Sequence, residues 1–255
     1  MKVKLALSAG FCMGVRRAME IVLSKANRKD APIFTYGPLI HNKEVLELLE
    51  SKGVKVMKDL EEIKGISEGT IIIRAHGISP HHRALIKSSP LKLIDATCPR
   101  VAKVQATIRY YTRKGYTAII AGEKDHPEVI GLVGYSENMA YVIGEPSEVK
   151  TIPSLGRVIL VAQTTQEWKK YQDIKKAVKK RFSHAIIFDT ICDATIKRQH
   201  EVIELAKEVD GIVVVGGFDS GNTRRLVQVA KKYKLPTFHI ENAGQLDKEK
   251  LSSHK

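Results

Sequence analysis

The chain has 255 residues, among them 42 Lys and Arg, 28 Asp and Glu, nine His and three Cys. Hydrophobic residues at 43% and charged residues at 27% are ordinary for a soluble globular protein and exclude a disordered, coiled-coil or collagen-like chain. Three cysteines over this length cannot staple a disulfide scaffold, no stretch approaches the roughly 18 apolar residues of a membrane span, and the net charge of +14 admits an anionic substrate, nucleic acid or an acidic protein partner.

The opening MKVKLALSAGFCMGV imitates a signal peptide, with a basic start and an apolar middle. Glycines and a serine interrupt the run, Arg16 and Arg17 follow at once, and no small-residue cleavage pattern is present. The segment reads better as a strand, Val3–Leu7, feeding a helix, Val15–Ala26. A cytoplasmic, reducing location is the matching expectation.

Further strand-like runs follow at Pro32–Tyr36, Thr70–Ile73, Leu91–Ile94, Thr117–Ile120, Val158–Val161, Ala185–Phe188 and Gly211–Val215. Helical periodicity appears at Asn42–Ser51, Val101–Arg113, Glu167–Phe182, Thr195–Glu208 and Thr223–Tyr233. The alternation predicts an α/β fold with mostly parallel sheets. Along 167–182, Trp168, Tyr171, Ile174, Val178 and Phe182 recur at core spacing with lysines between them, the pattern of a solvated basic helix face.

A weak repeat runs through this alternation. Leu91-Lys-Leu-Ile-Asp95-Ala-Thr-Cys98 and Ala185-Ile-Ile-Phe-Asp189-Thr-Ile-Cys192 both read as strand, Asp-x-x-Cys, helix, and the stretch ending in Cys12 is a looser third copy. Each cysteine therefore sits just past the carboxyl end of a strand, where α/β proteins build their sites. Three similar units about a pseudo-threefold axis would bring the thiols together, although periodicity alone does not make them meet. A helix N-terminus after each cysteine favours the thiolate. Thiolates select zinc, copper(I) or an iron–sulfur cluster, and three ligands on a four-iron cluster leave one iron open for chemistry. The competing readings are three unrelated buried thiols and a structural zinc, the latter disfavoured because no C-x-x-C pair is present.

Polar residues gather at other strand ends: His41 and Asn42; Arg74 and His76; His126 with Pro127 and Glu128; Gln163 to Gln166; and the turn Gly216-Gly217-Phe-Asp-Ser220-Gly221-Asn222-Thr223. That Gly-rich turn opening a helix suits a phosphate, since free N–H groups and the helix dipole face the anion, but the same residues serve as ordinary caps. A lone histidine is usually structural; three at strand ends in a basic chain suggest an anion pocket. Glu128 is the candidate proton donor, with first-turn capping as its plainer role.

Taken together, GFCMGVRRA (Gly10–Ala18), GPLIHN, RAHGI, DATCP, GEKDHPEV, VAQTTQ, DTICDAT and GGFDSGNTRRL closely resemble the 4-hydroxy-3-methylbut-2-enyl diphosphate reductase (LytB/IspH) family, in family order over essentially the whole chain. The resemblance implies three α/β domains in a trefoil around a central 4Fe-4S cluster held by Cys12, Cys98 and Cys192. Expected domains are 13–98, 99–191, and 192–255 with 1–12. It implies reductive removal of the substrate hydroxyl, giving isopentenyl and dimethylallyl diphosphate, with electrons from reduced ferredoxin or flavodoxin. Glu128, Thr164 and His126 are the implied catalytic residues. His41, His76, His126, Thr164, Ser220, Gly221 and Asn222 are the implied substrate contacts. No nucleic acid or membrane is implied.

The end of the sequence departs from the pattern. Relatives continue with a strand, an Ala-Gly-Ala-Ser turn and a final helix, and nothing up to Lys255 matches that turn, so a truncated third domain lacking one diphosphate contact is expected. Gly221 stands where many relatives carry serine. Rival three-cysteine iron–sulfur proteins, quinolinate synthase and the diphthamide-synthesis proteins, lack the combination of HPEV, QTT and SGNTRR. An RNA-binding protein would interleave aromatics with its basic patches, and aromatics are only 6% here.

Overall fold

The computed structural model describes residues 2–28 and 32–247. The elements run α1 (Met13–Ala26), β1 (Ile33–Tyr36), α2 (Lys43–Ser51), β2 (Val54–Met57), β3 (Thr70–Ile73), α3 (Pro80–Lys87), β4 (Lys92–Asp95), α4 (Pro99–Thr112), β5 (Thr117–Ala121) and α5 (Pro127–Gly134). They continue with β6 (Ala140–Ile143), β7 (Val158–Ala162), α6 (Trp168–Arg181), β8 (Ile186–Ile187), α7 (Asp193–Leu205), β9 (Ile212–Val215), α8 (Gly221–Lys231) and β10 (Thr237–Ile240). Caps and prolines fix several starts: the Asn42 and Ser79 side chains accept N–H bonds, and Pro80, Pro99 and Pro127 occupy first-turn positions where no N–H is needed.

Every strand pairing is parallel. Among the described residues there are three sheets, ordered β2-β1-β3-β4, β6-β5-β7-β8 and β10-β9. The first two share one topology, and in each the edge strand (β4, β8) leads into a cysteine. Both are covered on two faces. In β3, Ile72 meets α1 and α2 through Ala18, Val22, Val45 and Leu49, while Ile71 and Ile73 face Ile86 of α3. In β5, Ile119 and Ala121 face Tyr171, Ile174 and Val178 of α6, while Ala118 and Ile120 face Val104 and Ile108 of α4 and Val129 and Leu132 of α5. Two-sided burial accounts for the unbroken apolar runs that define these strands in the sequence.

The third sheet is different. Its core is a small cluster of Val202, Val229 and Ala230 with Ile203, Ile212 and Leu226, and Val213 and Val215 of β9 remain exposed. The expected strand Val3–Leu7 is not formed: Val3, Leu5 and Leu7 are 83%, 79% and 94% exposed. The reason is the absence of a strand neighbour among the described residues, since a strand needs a partner for its backbone groups. The segment is held by α7 instead. Leu7 N–H and Ser8 N–H bond to Glu201, Arg198 donates to the Ser8 and Gly10 carbonyls, and Lys4 pairs with Glu208. The part of the third domain expected over 248–255 lies outside the described residues. The strands β2, β6 and β10 and the short helix α3 carry too few periodic residues to stand out in the sequence, whereas the start of α5 at Pro127 and Glu128 is where the sequence places it.

The basic helix α6 presents the predicted face. Tyr171, Ile174 and Val178 are fully buried, and Lys170 and Lys175 pair with Glu145 and Asp189. No helix of the described residues is long and apolar enough to cross a membrane. The Tyr171 hydroxyl donates to the Phe188 carbonyl at 2.7 Å, tying α6 to the segment that leads to Cys192. Tyr171→Phe is therefore expected to leave that carbonyl unpaired and to lower stability by about 1–2 kcal/mol in urea unfolding; an unchanged midpoint would contradict it.

Candidate active site at the strand ends

Cys12, Cys98 and Cys192 are the residues that cap α1, α4 and α7, and the Cys12 and Cys192 side chains make no capping bond to their own helices. All three are free and half-buried. Cys98 lies within electrostatic reach of both other thiols and receives the N–H groups of Arg100 and Val101. Its sulfur packs against the first turn of α1, where a Cβ built on Gly14 would stand 2.5 Å from Sγ. The helix terminus does not decide its ionisation as expected: burial pushes the Cys98 thiol up, and the two neighbouring thiols add to it against the N–H bonds. A cation or cluster would reverse that balance, because a bound metal deprotonates its thiols. Soft donors from three helix starts, one of them seated on a glycine, fit a thiolate-held metal group.

Two backbone bonds join these cysteines to the polar turns next door. Cys98 N–H donates to the Ala75 carbonyl, beside His76, and Cys192 N–H donates to the Thr164 carbonyl, both at 2.9 Å. Thr164 reaches onward to Glu128. Its N–H meets Oε1 at 2.7 Å and its hydroxyl donates to Oε2 at 2.8 Å. Glu128 is 1% exposed, and burial raises its carboxyl to about 7 against the two bonds from Thr164. It is thus half-protonated near neutrality, as a proton donor must be.

The three histidines form one cluster, with ring centroids 4.7 Å apart for His41–His76, 5.4 Å for His76–His126 and 6.1 Å for His41–His126. Burial lowers all three, His126 to about 4, so each is neutral at pH 7. His126 Nδ1 accepts the Glu128 N–H at 3.1 Å, which places its proton on Nε2. His41 Nε2 and His76 Nδ1 are buried without a protein partner. Their ligand atoms lie within 4.8 Å of one another, close enough for a metal ion. The His126 tautomer argues against one: Nε2–H is a donor, suited to an anion's oxygen.

The Gly-rich turn closes the pocket from another element. A Cβ on Gly221 would lie 2.8 Å from Thr165 Oγ1 and 3.1 Å from His126 Nε2, so any side chain here would require those two groups to give way. Ser220 caps α8 through the Thr223 N–H at 3.3 Å, and Asn222 is the second residue of that helix, half-buried. A cleft of about 380 Å³ opens here, lined by His41, Glu123, Lys124, Asp125, His126, Pro127, Asp219 and Arg224. Sequence reasoning missed Glu123 as a clamp: it pairs with Arg224 and with the buried Arg225, each at 2.9 Å, and its N–H bonds to Gln163. A carboxylate in one motif and two arginines in another gave no sign of their pairing.

Parallel sheets with polar turns at the carboxyl ends of their strands form the class of α/β protein in which enzymes of small anionic substrates are commonly built. A family model described as LytB protein matches residues 3–255, and the chain belongs to that family. It is 42% identical over 247 residues to the 4-hydroxy-3-methylbut-2-enyl diphosphate reductase of Trichlorobacter lovleyi, covering 97% of this chain and 87% of that protein. The reductase of the same name from Opitutus terrae is 40% identical, with 98% and 90% covered. Among solved structures, the Plasmodium falciparum E-1-hydroxy-2-methyl-but-2-enyl-4-diphosphate reductase superposes with a TM-score of 0.91 at 30% identity, covering 96% of this chain and 78% of that one. A structure of (E)-4-hydroxy-3-methyl-but-2-enyl diphosphate reductase, the terminal enzyme of the non-mevalonate pathway, gives 0.72 at 36% identity, with 99% and 90% covered.

The Glu128 environment has a stability consequence. Burial favours the neutral carboxyl, so this contribution is full below the ordinary value of 4.5 and is lost as pH rises through about 7. Glu128→Gln is expected to be more stable than the parent at pH 8, by at most about 3 kcal/mol, and to show no such gain at pH 4. Urea unfolding at the two pH values measures it, and a gain independent of pH would refute the assignment.

Proposed function

We propose that this chain catalyses the reaction its relatives are named for, the reductive dehydroxylation of 4-hydroxy-3-methylbut-2-enyl diphosphate at the end of the non-mevalonate isoprenoid pathway. In this reading the three α/β units, 13–98, 99–191, and 192–255 with 1–12, are arranged as a trefoil about one 4Fe-4S cluster held by Cys12, Cys98 and Cys192. The single observation that supports the reading is the linkage of the cysteines of the two Asp-x-x-Cys copies to neighbouring polar turns: Cys98 to Ala75–His76, and Cys192 to Thr164–Glu128. Kinship to named reductases over 97% of this chain supports the substrate.

Bound there, the cluster would supply electrons one at a time and, at its iron lacking a thiolate, a Lewis acid for the hydroxyl oxygen. The rest is done by the chain. His41, His76 and His126 offer neutral imidazole donors to the diphosphate, and the α8 N-terminus with Ser220, Gly221 and Asn222 adds N–H and amide donors that bind without giving up a proton. Thr164 helps orient the substrate's hydroxyl group beside Glu128. The neutral Glu128 carboxyl gives its proton to the departing oxygen, and water leaves. Two electrons and a further proton delivered to the allyl fragment complete either isomeric product. Reduced ferredoxin or flavodoxin is the proposed donor; both are acidic, which matches a chain of net charge +14.

Anaerobic purification followed by iron and acid-labile sulfide analysis tests the cofactor. About four of each per chain is expected, falling to well under half in Cys98→Ser. A normal iron content in that variant would remove Cys98 from the ligand set. Glu128→Gln should keep the cluster and lose at least about a hundredfold in turnover, on the usual worth of a general acid. Full turnover would exclude Glu128 as the obligatory donor.

A further inference from the structure

Arg74 directly follows β3 and stands two residues before His76, which lies in the turn after it. Its guanidinium lies on the backbone of Gly37, where a built Cβ would come 2.5 Å from Nη1; the positive φ of 73° there is a second reason for glycine. Its Nε is buried and has no hydrogen-bond partner. No ion pair to Arg74 is found among the described residues. The other buried cation of the region is different in kind: Arg225, with Arg224 beside it, is bound to Glu123. Lys124 and Asp125, both exposed on the cleft, cancel each other, and Asp219 is an exposed anion at its rim. Burial lowers His41 and His76, and Arg74 adds to it at both, against Asp219 at His41, which places the guanidinium within electrostatic reach of the cluster. Tyr36, its other neighbour, bonds to His82 Nδ1 at 3.1 Å and not to Arg74.

A half-buried guanidinium with no carboxylate is costly unless something anionic completes it. We propose that Arg74 is an uncompensated cation beside the diphosphate pocket, a positioning residue whose charge is completed by the substrate's diphosphate. This rests on the anion pocket proposed above. The neutral imidazoles donate hydrogen bonds and bring no charge, and the Glu123 clamp leaves one positive charge over. Without Arg74 a multiply charged diphosphate would enter a pocket of donors with little net charge to meet it.

The test is binding of inorganic diphosphate to the holoprotein by calorimetry, with steady-state kinetics beside it, on Arg74→Met, Arg74→Lys and Asn222→Ala. Arg74→Met should weaken diphosphate binding by at least about tenfold and flatten its salt dependence, raising KM far more than it lowers kcat. Arg74→Lys, which keeps the charge, should recover most of the affinity. If Arg74→Lys is as weak as Arg74→Met, or if Arg74→Met binds normally while Asn222→Ala does not, the charge is not what the pocket uses and the proposal fails. If neither Arg74→Met nor Asn222→Ala alters binding, the anion pocket itself is elsewhere. Should Arg74→Met not fold, diphosphate binding by the parent that is the same at low and high salt would overturn the proposal equally.

Discussion

The arrangement depends on one repeated hydrogen bond: the amide of a cysteine at the end of an edge strand, donated to a carbonyl in the turn after the neighbouring strand. Cys98 makes it to Ala75 and Cys192 makes it to Thr164. Because β3–β4 and β7–β8 are parallel, their carboxyl ends lie side by side, and the bond extends that register one step beyond the sheet. The cysteine side chain then starts a helix on one side while the partner turn presents His76 or Thr164 on the other. Soft donors and polar substrate groups are thereby held at fixed separation by backbone, not by flexible side chains.

The second constraint is dryness. Glu128 is buried among apolar neighbours of α5 and satisfied only by Thr164, so its carboxyl is balanced between neutral and charged forms near pH 7. The histidines are held neutral by the same burial. The site thus contains neutral donors, the buried Glu128 carboxyl and the Glu123 carboxylate tied to Arg224 and Arg225, with Asp125 and Asp219 exposed along the cleft.

The third sheet shows what happens when the repeat is incomplete among the described residues. With β9 and β10 alone, its core is the small cluster around Val202, Val229 and Ala230, and Val213 and Val215 face solvent. The α8 N-terminus nevertheless reaches the site, because Gly217 packs on the backbone of His41 and Asn42 and the Glu123 clamp holds Arg224 and Arg225. Contacts to the first two units fix this turn in place of its own sheet.

Much of this was legible in the residues. Two-sided burial of parallel strands writes itself as continuous apolar runs, and the predicted β1, β3, β4, β5, β7 and β9 fall within a residue or so of the observed ones. Cysteine and proline at helix starts, and the Ser-Gly-Asn-Thr turn before α8, are local signals that needed no tertiary context. Strand formation at Val3–Leu7 was not decided locally: alternating apolar residues are necessary for a strand, but its hydrogen bonds belong to a neighbour. The Glu123 clamp and the solitary state of Arg74 were equally invisible, since a charge's partner, or lack of one, is a property of three-dimensional proximity. The sequence by itself determined which residue types stand at which strand ends. Only the tertiary structure decided which of them meet, which are buried, and hence which carboxyl holds a proton and which cation waits for an anion, because desolvation and Coulomb energy depend on distance and surroundings and not on order along the chain.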